Sequence, residues 1–113
     1  MKHTISILVE NHAGVLSRVS GLFSRRGFNI DSLTVSATND PAVSRITLTI
    51  TSDDRALKQL ILQTERLEVT RQVFVLDHEN SLERELLLLK LAADVHNRSE
   101  LREIASIYKA KII

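Results

Sequence analysis

Arg45-Ile46-Thr47-Leu48-Thr49-Ile50-Thr51 alternates apolar and polar residues without a break, and most of them are β-branched. A period of two in such residues predicts a strand with one face buried and the other wet. Just upstream, Asn39-Asp40-Pro41 is turn chemistry,. Before the turn, Phe28 to Thr38 alternates again, with Leu33, Val35 and Ala37 against Ser32, Thr34 and Ser36. Two strands joined so closely are most simply an antiparallel hairpin.

Working outward, Thr4 to Glu10 is a further strand, with Ile5, Ile7 and Val9 on one face and Thr4, Ser6 and Leu8 on the other,. Asn11-His12-Ala13-Gly14 breaks it, and Val15, Leu16, Val19, Leu22 and Phe23 then recur at helical spacing,. Arg25 and Arg26 in the last turn suit the helix dipole, and Gly27 is a ready stop,. After the hairpin, Ser52, Asp53 and Asp54 can each cap a second helix carrying Leu57, Leu60, Ile61, Thr64 and Leu67,. A last strand runs roughly from Glu68 to Leu76, with Val69, Val73 and Val75 on one face. The order β-α-β-β-α-β implies an α+β fold, a ferredoxin-like sandwich of a four-stranded antiparallel sheet with two helices on one face.

This reading makes residues 1–77 one domain and leaves 78–113 as a linker and an incomplete second α/β unit. The apolar run Leu86-Leu87-Leu88-Leu89, followed by Lys90-Leu91, fits a helix by composition or a buried strand by its length,. Asn97 or Ser99 can cap a helix bearing Leu101, Ile104, Ala105 and Tyr108, and Lys111-Ile112-Ile113 reads as the start of another strand. Such a tail cannot bury its own faces, so it needs a missing half or a partner.

Composition removes whole classes of function. The 113 residues hold 15 Lys and Arg against 14 Asp and Glu, so there is no clustered basic face for nucleic acid,. Absence of cysteine excludes disulfides, thiolate metal sites and cysteine nucleophiles,. His3, His12, His78 and His96 show no ligand spacing. Four aromatics, none on the central strands, argue against base stacking,. No apolar run approaches the ~20 residues of a membrane span and no signal-peptide core opens the chain, which reads as cytoplasmic. Arg18 and Asn11 lie where a phosphate-loop enzyme would need them, without a nucleophile and base beside them.

The loop Glu10-Asn11-His12-Ala13-Gly14 is what remains. It leads into a helix whose first amides are unpaired and carry the positive end of the dipole, a site suited to a carboxylate. Gly14 leaves the backbone open to a ligand, and Asn11 offers both a carbonyl and an amide. The plainer alternative is that Asn11 caps the helix and Gly14 permits a tight turn.

The run from Leu8 to Val35, above all Arg26-Gly27-Phe28-Asn29-Ile30-Asp31-Ser32-Leu33, resembles the small regulatory subunit of acetohydroxyacid (acetolactate) synthase. Asp40-Pro41, Ser44-Arg45 and Glu83-Arg84-Glu85-Leu86 extend the resemblance over nearly the whole chain. The glycine-containing loop and first helix are those of ACT domains in general. The resemblance implies a non-catalytic subunit of branched-chain amino acid biosynthesis, which binds valine for feedback inhibition and activates a separate catalytic subunit. Thiamine diphosphate, magnesium and FAD are then expected in that catalytic subunit, with no cofactor in this chain. It further implies a homodimer of ACT domains in an eight-stranded sheet, with the effector at the interface. Asn11, Ala13, Gly14, Val15 and Leu16 of one copy would face Asn29 and Ile30 of the other, with Ser17 and Ser36 bordering the site and Gln59 a weaker candidate. The second strand is an edge in this topology, and it lacks the lysines and prolines that usually blunt one. The expected mode has the carboxylate on the helix-start amides, the ammonium held by Asn11 and Asn29, and the side chain in a slot of Val15, Leu16 and Ile30. Leucine and isoleucine would be discriminated only modestly. A subunit that activates its partner without sensing any ligand is the alternative.

Overall fold

A computed structural model describes all 113 residues. Its contacts divide the chain into two compact units, Met1–Leu82 and Glu83–Ile113. In the first, β1 (Lys2–Glu10), α1 (Val15–Arg25), β2 (Ile30–Ala37), β3 (Val43–Thr51), α2 (Asp54–Glu65) and β4 (Thr70–Leu76) follow in the expected order. All three strand pairings are antiparallel and the sheet order is β2-β3-β1-β4, so β2 and β4 are the edges.

Register explains the core. Ile5 pairs with Leu48, Ile7 with Ile46, Leu33 with Leu48 and Val35 with Ile46, which puts the apolar residues of three strands on one face. Ile5, Ile7, Val9, Ile46, Leu48 and Ile50 are buried there with Val15, Val19, Leu22 and Phe23 of α1 and Leu57 and Leu60 of α2. Leu16, expected in the same stripe, is 43% exposed. The helix therefore turns four of its five apolar positions inward and keeps Leu16 at the margin.

The helix ends follow local chemistry. Phe28 N–H bonds the Phe23 carbonyl at 3.0 Å and Gly27 N–H bonds that of Ser24 at 3.1 Å. With Gly27 at φ 77, this is the paired-bond termination that glycine favours,. The Phe23 and Phe28 rings close it edge-on, their centroids 6.5 Å apart,. At the start of α2, the Asp53 carboxylate accepts the Ala56 N–H at 2.7 Å, so Asp53 is the cap among the three candidates,.

On the face turned away from the helices, hydroxyls tie strands laterally. Arg45 Nη1 donates to Ser6 Oγ at 2.7 Å, Ser32 and Thr49 hydroxyls meet at 2.7 Å, and the Thr51 hydroxyl donates to Asp31 at 2.9 Å,. Thr4 and Ser6 of the central strand β1 are buried despite lying on this side.

The second unit contains one regular element, α3 (Arg98–Ile107). Asn97 holds its N-cap position but caps no helix amide; its Oδ1 accepts the Asp94 N–H at 2.8 Å instead. Leu101 and Ala105 are half-buried, whereas Ile104 and Tyr108 are exposed. Residues 86–91 are neither helix nor strand, contrary to both expectations, and each leucine in them is at least 60% exposed. A strand needs a neighbour for its N–H and C=O groups, and this unit holds no other. Lys111-Ile112-Ile113 is irregular for the same reason.

Candidate functional site

The end of β1 is pinned from two sides. Glu10 N–H bonds the Val69 carbonyl, and Asn11 N–H bonds that of Ala42, both at 2.9 Å. The Asn11 side-chain amide adds a second bond to the hairpin turn, Nδ2 to the Pro41 carbonyl at 3.0 Å. Asn11 therefore fastens the loop to the β2–β3 turn and does not cap α1. That N-cap is Gly14, in the left-handed region at φ 84, and no side chain caps the helix. A Cβ built on Gly14 would meet nothing within 4 Å.

The uncapped start leaves donors open. Val15 N–H reaches the His12 carbonyl at 3.5 Å and Arg18 N–H bonds that of Gly14 at 3.1 Å. Between them the amides of Leu16 and Ser17 have no acceptor in the chain,.

Beside these amides lies a cleft of ≈ 80 Å³. Val9, Glu10, Asn11 and His12 form one wall, Val15 and Leu16 of α1 a second, and Val35 with Ser44 and Ile46 the floor toward β2 and β3. Of the expected residues, Asn11, Val15 and Leu16 line it, and Ala13 and Gly14 sit in the loop between them. Ser17 is exposed in the first turn of α1. Ser36 pairs with Arg45 and so stands on the opposite face of β2 from Val35, away from the cleft within one copy,. Asn29 and Ile30 lie at the far end of β2, where Ile30 pairs with Ile50. Seven residues of strand separate Ile30 from Ala37, about 23 Å.

Reading the sequence missed Val35, Ser44, Ile46 and Val9 as lining residues, and gave Glu10 and His12, within the loop it singled out, no role of their own. The hairpin register is the signal that could have found the first three, since it places Val35 opposite Ile46. Glu10 and His12 bracket Asn11 and form a pair, Nε2 to Oε2 at 3.0 Å. The other ring nitrogen lies 3.3 Å from the Ala13 carbonyl. That carbonyl first, and then the Glu10 carboxylate, favour the imidazolium and push the His12 pKa above its ordinary 6.5, against the opposing pull of desolvation and of Arg18,. With both nitrogens facing acceptors, neither is placed to take a proton from a nucleophile, so the pair is not a catalytic dyad. No three His, Asp or Glu side chains gather to hold a metal ion.

A larger cleft, ≈ 240 Å³, opens on the helical side among Arg26, Phe28, Ala56, Gln59, Leu60 and Gln63. Within one copy Gln59 lines this cleft and not the one beside Gly14.

A family model described as the AHAS small subunit-like ACT domain matches residues 5–72, and a second, described as the small subunit of acetolactate synthase, matches residues 84–113. A probable acetolactate synthase small subunit from Archaeoglobus fulgidus is 47% identical over 113 residues, all of this chain and 70% of that protein. The acetolactate synthase small subunit of Mycobacterium avium is 43% identical over 111 residues, 98% of this chain and 66% of the relative. The chain thus spans about two thirds of the length of such relatives. Among solved structures, an acetolactate synthase small subunit from Thermotoga maritima superposes with a TM-score of 0.81 at 27% identity, covering 100% of this chain and 71% of that one. The ACT domain of a GTP pyrophosphokinase from Chlorobium tepidum, at 20% identity, has a TM-score of 0.60 over 75% of this chain and 92% of its own, a likeness of fold alone. Sequence matches across both units, together with the β-α-β-β-α-β sheet and its uncapped loop-to-helix junction, place the chain in the acetolactate synthase small-subunit family, with an ACT domain as its first unit.

Proposed function

We propose that the chain is the regulatory subunit of acetolactate synthase and senses valine in a seam between two ACT domains. Membership of the small-subunit family supports the role as a non-catalytic partner of a catalytic chain. In this reading the catalytic chain carries thiamine diphosphate, magnesium and FAD, and this subunit restores its full activity in the cytoplasm.

The carrying observation is the incomplete cleft. Small-molecule sites usually enclose about 300 Å³ or more, and the cleft beside Gly14 has ≈ 80 Å³. It is a half-site, and the free edge of β2 is what can complete it. A two-fold mate joined along β2 runs antiparallel to it. The start of the partner's second strand, with Asn29 and Ile30, then arrives beside the end of the first, where Val35 borders the cleft. The 23 Å gap within one copy becomes a contact between two. The effector's carboxylate takes the Leu16 and Ser17 amides, and its branched side chain lies against Val15, Leu16 and Ile30.

Occupancy of a seam shifts the arrangement of the two sheets by its differential affinity for each arrangement, typically ~1–3 kcal/mol. That coupling is the proposed route of feedback inhibition. The test is a valine titration followed by amide NMR and by mass with and without ligand. Shifts at Asn11, Gly14 and Asn29 in a dimer support sensing. The exposed leucines of residues 86–91 favour the second reading, an interaction module without a ligand, and an unmoved spectrum at millimolar valine would establish it,.

A further inference from the structure

Among the residues lining the half-site, Glu10 carries the only full negative charge, and His12 lies against it at 3.0 Å. We propose that the Glu10 carboxylate is the ammonium-binding group of the effector site, and that an amino acid enters by displacing the His12 imidazole from it. The inference rests on the reading of this cleft as an amino-acid site and adds the group that recognises the ammonium.

A zwitterion taken out of water needs a partner at each end. The carboxylate has the open amides of Leu16 and Ser17. For the ammonium the cleft offers few acceptors. Asn11 commits its Nδ2 to the Pro41 carbonyl, which leaves its Oδ1 as a neutral acceptor, and the Ala13 carbonyl faces His12 Nδ1,. Glu10 is the one charged acceptor in the lining, at the end of β1 and one residue from Asn11, and its side chain is 40% exposed,. In the empty site the His12 imidazole occupies it, Nε2 lying 3.0 Å from Oε2. The His12 side chain, 52% exposed, has solvent into which to withdraw.

The exchange has a thermodynamic signature. Loss of the Glu10 contact removes one of the interactions that favour the imidazolium, so ligand binding lowers the His12 pKa and releases part of a proton. By linkage, affinity rises with pH through the window between the raised and the lowered midpoint. The other charged groups do not reproduce this. Arg18 of α1 acts on the imidazole in the opposite sense. In the β2–β3 turn the Asp40 Oδ1 is held by the Ala42 N–H. β2 and β3 present Val35, Ser44 and Ile46, none of which titrates. Glu68 and Arg71, flanking the β4 entry that holds the Glu10 amide, are both exposed.

Calorimetry on the full chain with L-valine tests this at pH 6 and pH 8, in buffers of different ionisation enthalpy, for the parent, Glu10→Gln and His12→Gln. Parent affinity is expected to rise at least threefold from pH 6 to pH 8, with proton release. Glu10→Gln is expected to weaken binding at least tenfold at pH 8 and to lose its preference for valine over the deaminated analogue 2-oxoisovalerate. His12→Gln should bind at least threefold tighter than the parent at pH 6 and show no pH dependence. A Glu10→Gln protein that binds valine within twofold of the parent, or a parent that takes up protons on binding, overturns the assignment of Glu10. If Glu10→Gln does not fold, the parent and His12→Gln profiles decide alone. A parent that gives no heat with valine at either pH overturns the effector-site reading itself.

Discussion

Replacing Gly14 by aspartate separates the fold from the site. In one copy the new Cβ meets no atom within 4 Å, so there is no steric cost. The backbone at φ 84 costs an ordinary L-residue roughly 1–2 kcal/mol,. Aspartate sits at the low end because its short polar side chain tolerates the left-handed region. A carboxylate at the start of α1 returns about 0.3–1 kcal/mol through the helix dipole. The net loss of stability is then about 1 kcal/mol or less, a fall of at most about 4–8 °C in a domain of this size. Valine binding is expected to suffer far more. The new carboxylate takes the amides of Leu16 and Ser17, and at roughly 4 Å it repels the ligand's own carboxylate by about 1 kcal/mol in water and about 4 kcal/mol at an effective dielectric of 20. That range corresponds to a roughly fivefold to thousandfold loss of affinity. Calorimetry with valine, beside a thermal melt of the same sample, measures both halves. Gly14→Asn tolerates the same backbone without the charge and separates filling from repulsion. A Gly14→Asp protein that binds valine within a factor of two would refute the placement of the carboxylate, and a stability loss above about 3 kcal/mol would refute the claim of open space.

Phe23→Ala should cost about 3–5 kcal/mol in chemical denaturation, because Phe23 is 1% exposed and closes the end of α1 against Phe28,; a loss below 1 kcal/mol would contradict that packing. Thr34→Lys places a charge on the exposed edge strand, on the face away from the cleft, and brings two like charges together across a two-fold axis,. Ultracentrifugation should show a shift toward monomer, and an unchanged mass means that β2 is not the seam. In an NMR titration without ligand, His12 should titrate above 6.5, and Glu10→Gln should bring its midpoint back toward that value. Because the folded pKa is raised, whatever this pair contributes to holding the loop is fully present below pH 6.5 and is lost as pH rises through the folded midpoint. A midpoint unmoved by Glu10→Gln would show that the Ala13 carbonyl alone holds the imidazolium.

The first unit was legible because its signals are local and agree with one another. The alternation of residues 45–51, the turn at Asn39-Asp40-Pro41 and the termination at Gly27 each specify their own geometry, and the sheet order follows from short connections,. Burial of Thr4 and Ser6 was not legible, since it comes from their central place in the sheet and not from their own chemistry. Leu16 reads as core by spacing, yet it borders the cleft; its stripe is five residues wide and the sheet covers four. The capping alternative for Asn11 failed for a different reason. Asparagine before a helix is a good cap on statistics, but here the β2–β3 turn, some thirty residues away, offers carbonyls to both its amides. Residues 86–91 defeated both expectations because strand formation depends on a neighbour that local sequence does not supply.

The double fastening of Asn11 to the carbonyls of Pro41 and Ala42 has a mechanical consequence. The tip of the hairpin and the turn that enters α1 cannot be displaced independently without breaking one of those two bonds. The loop that enters α1 is therefore coupled, through one backbone and one side-chain hydrogen bond of Asn11, to the two residues that lead into β3. The hairpin tip and the start of α1 are tied to each other before any helix or sheet packing is counted.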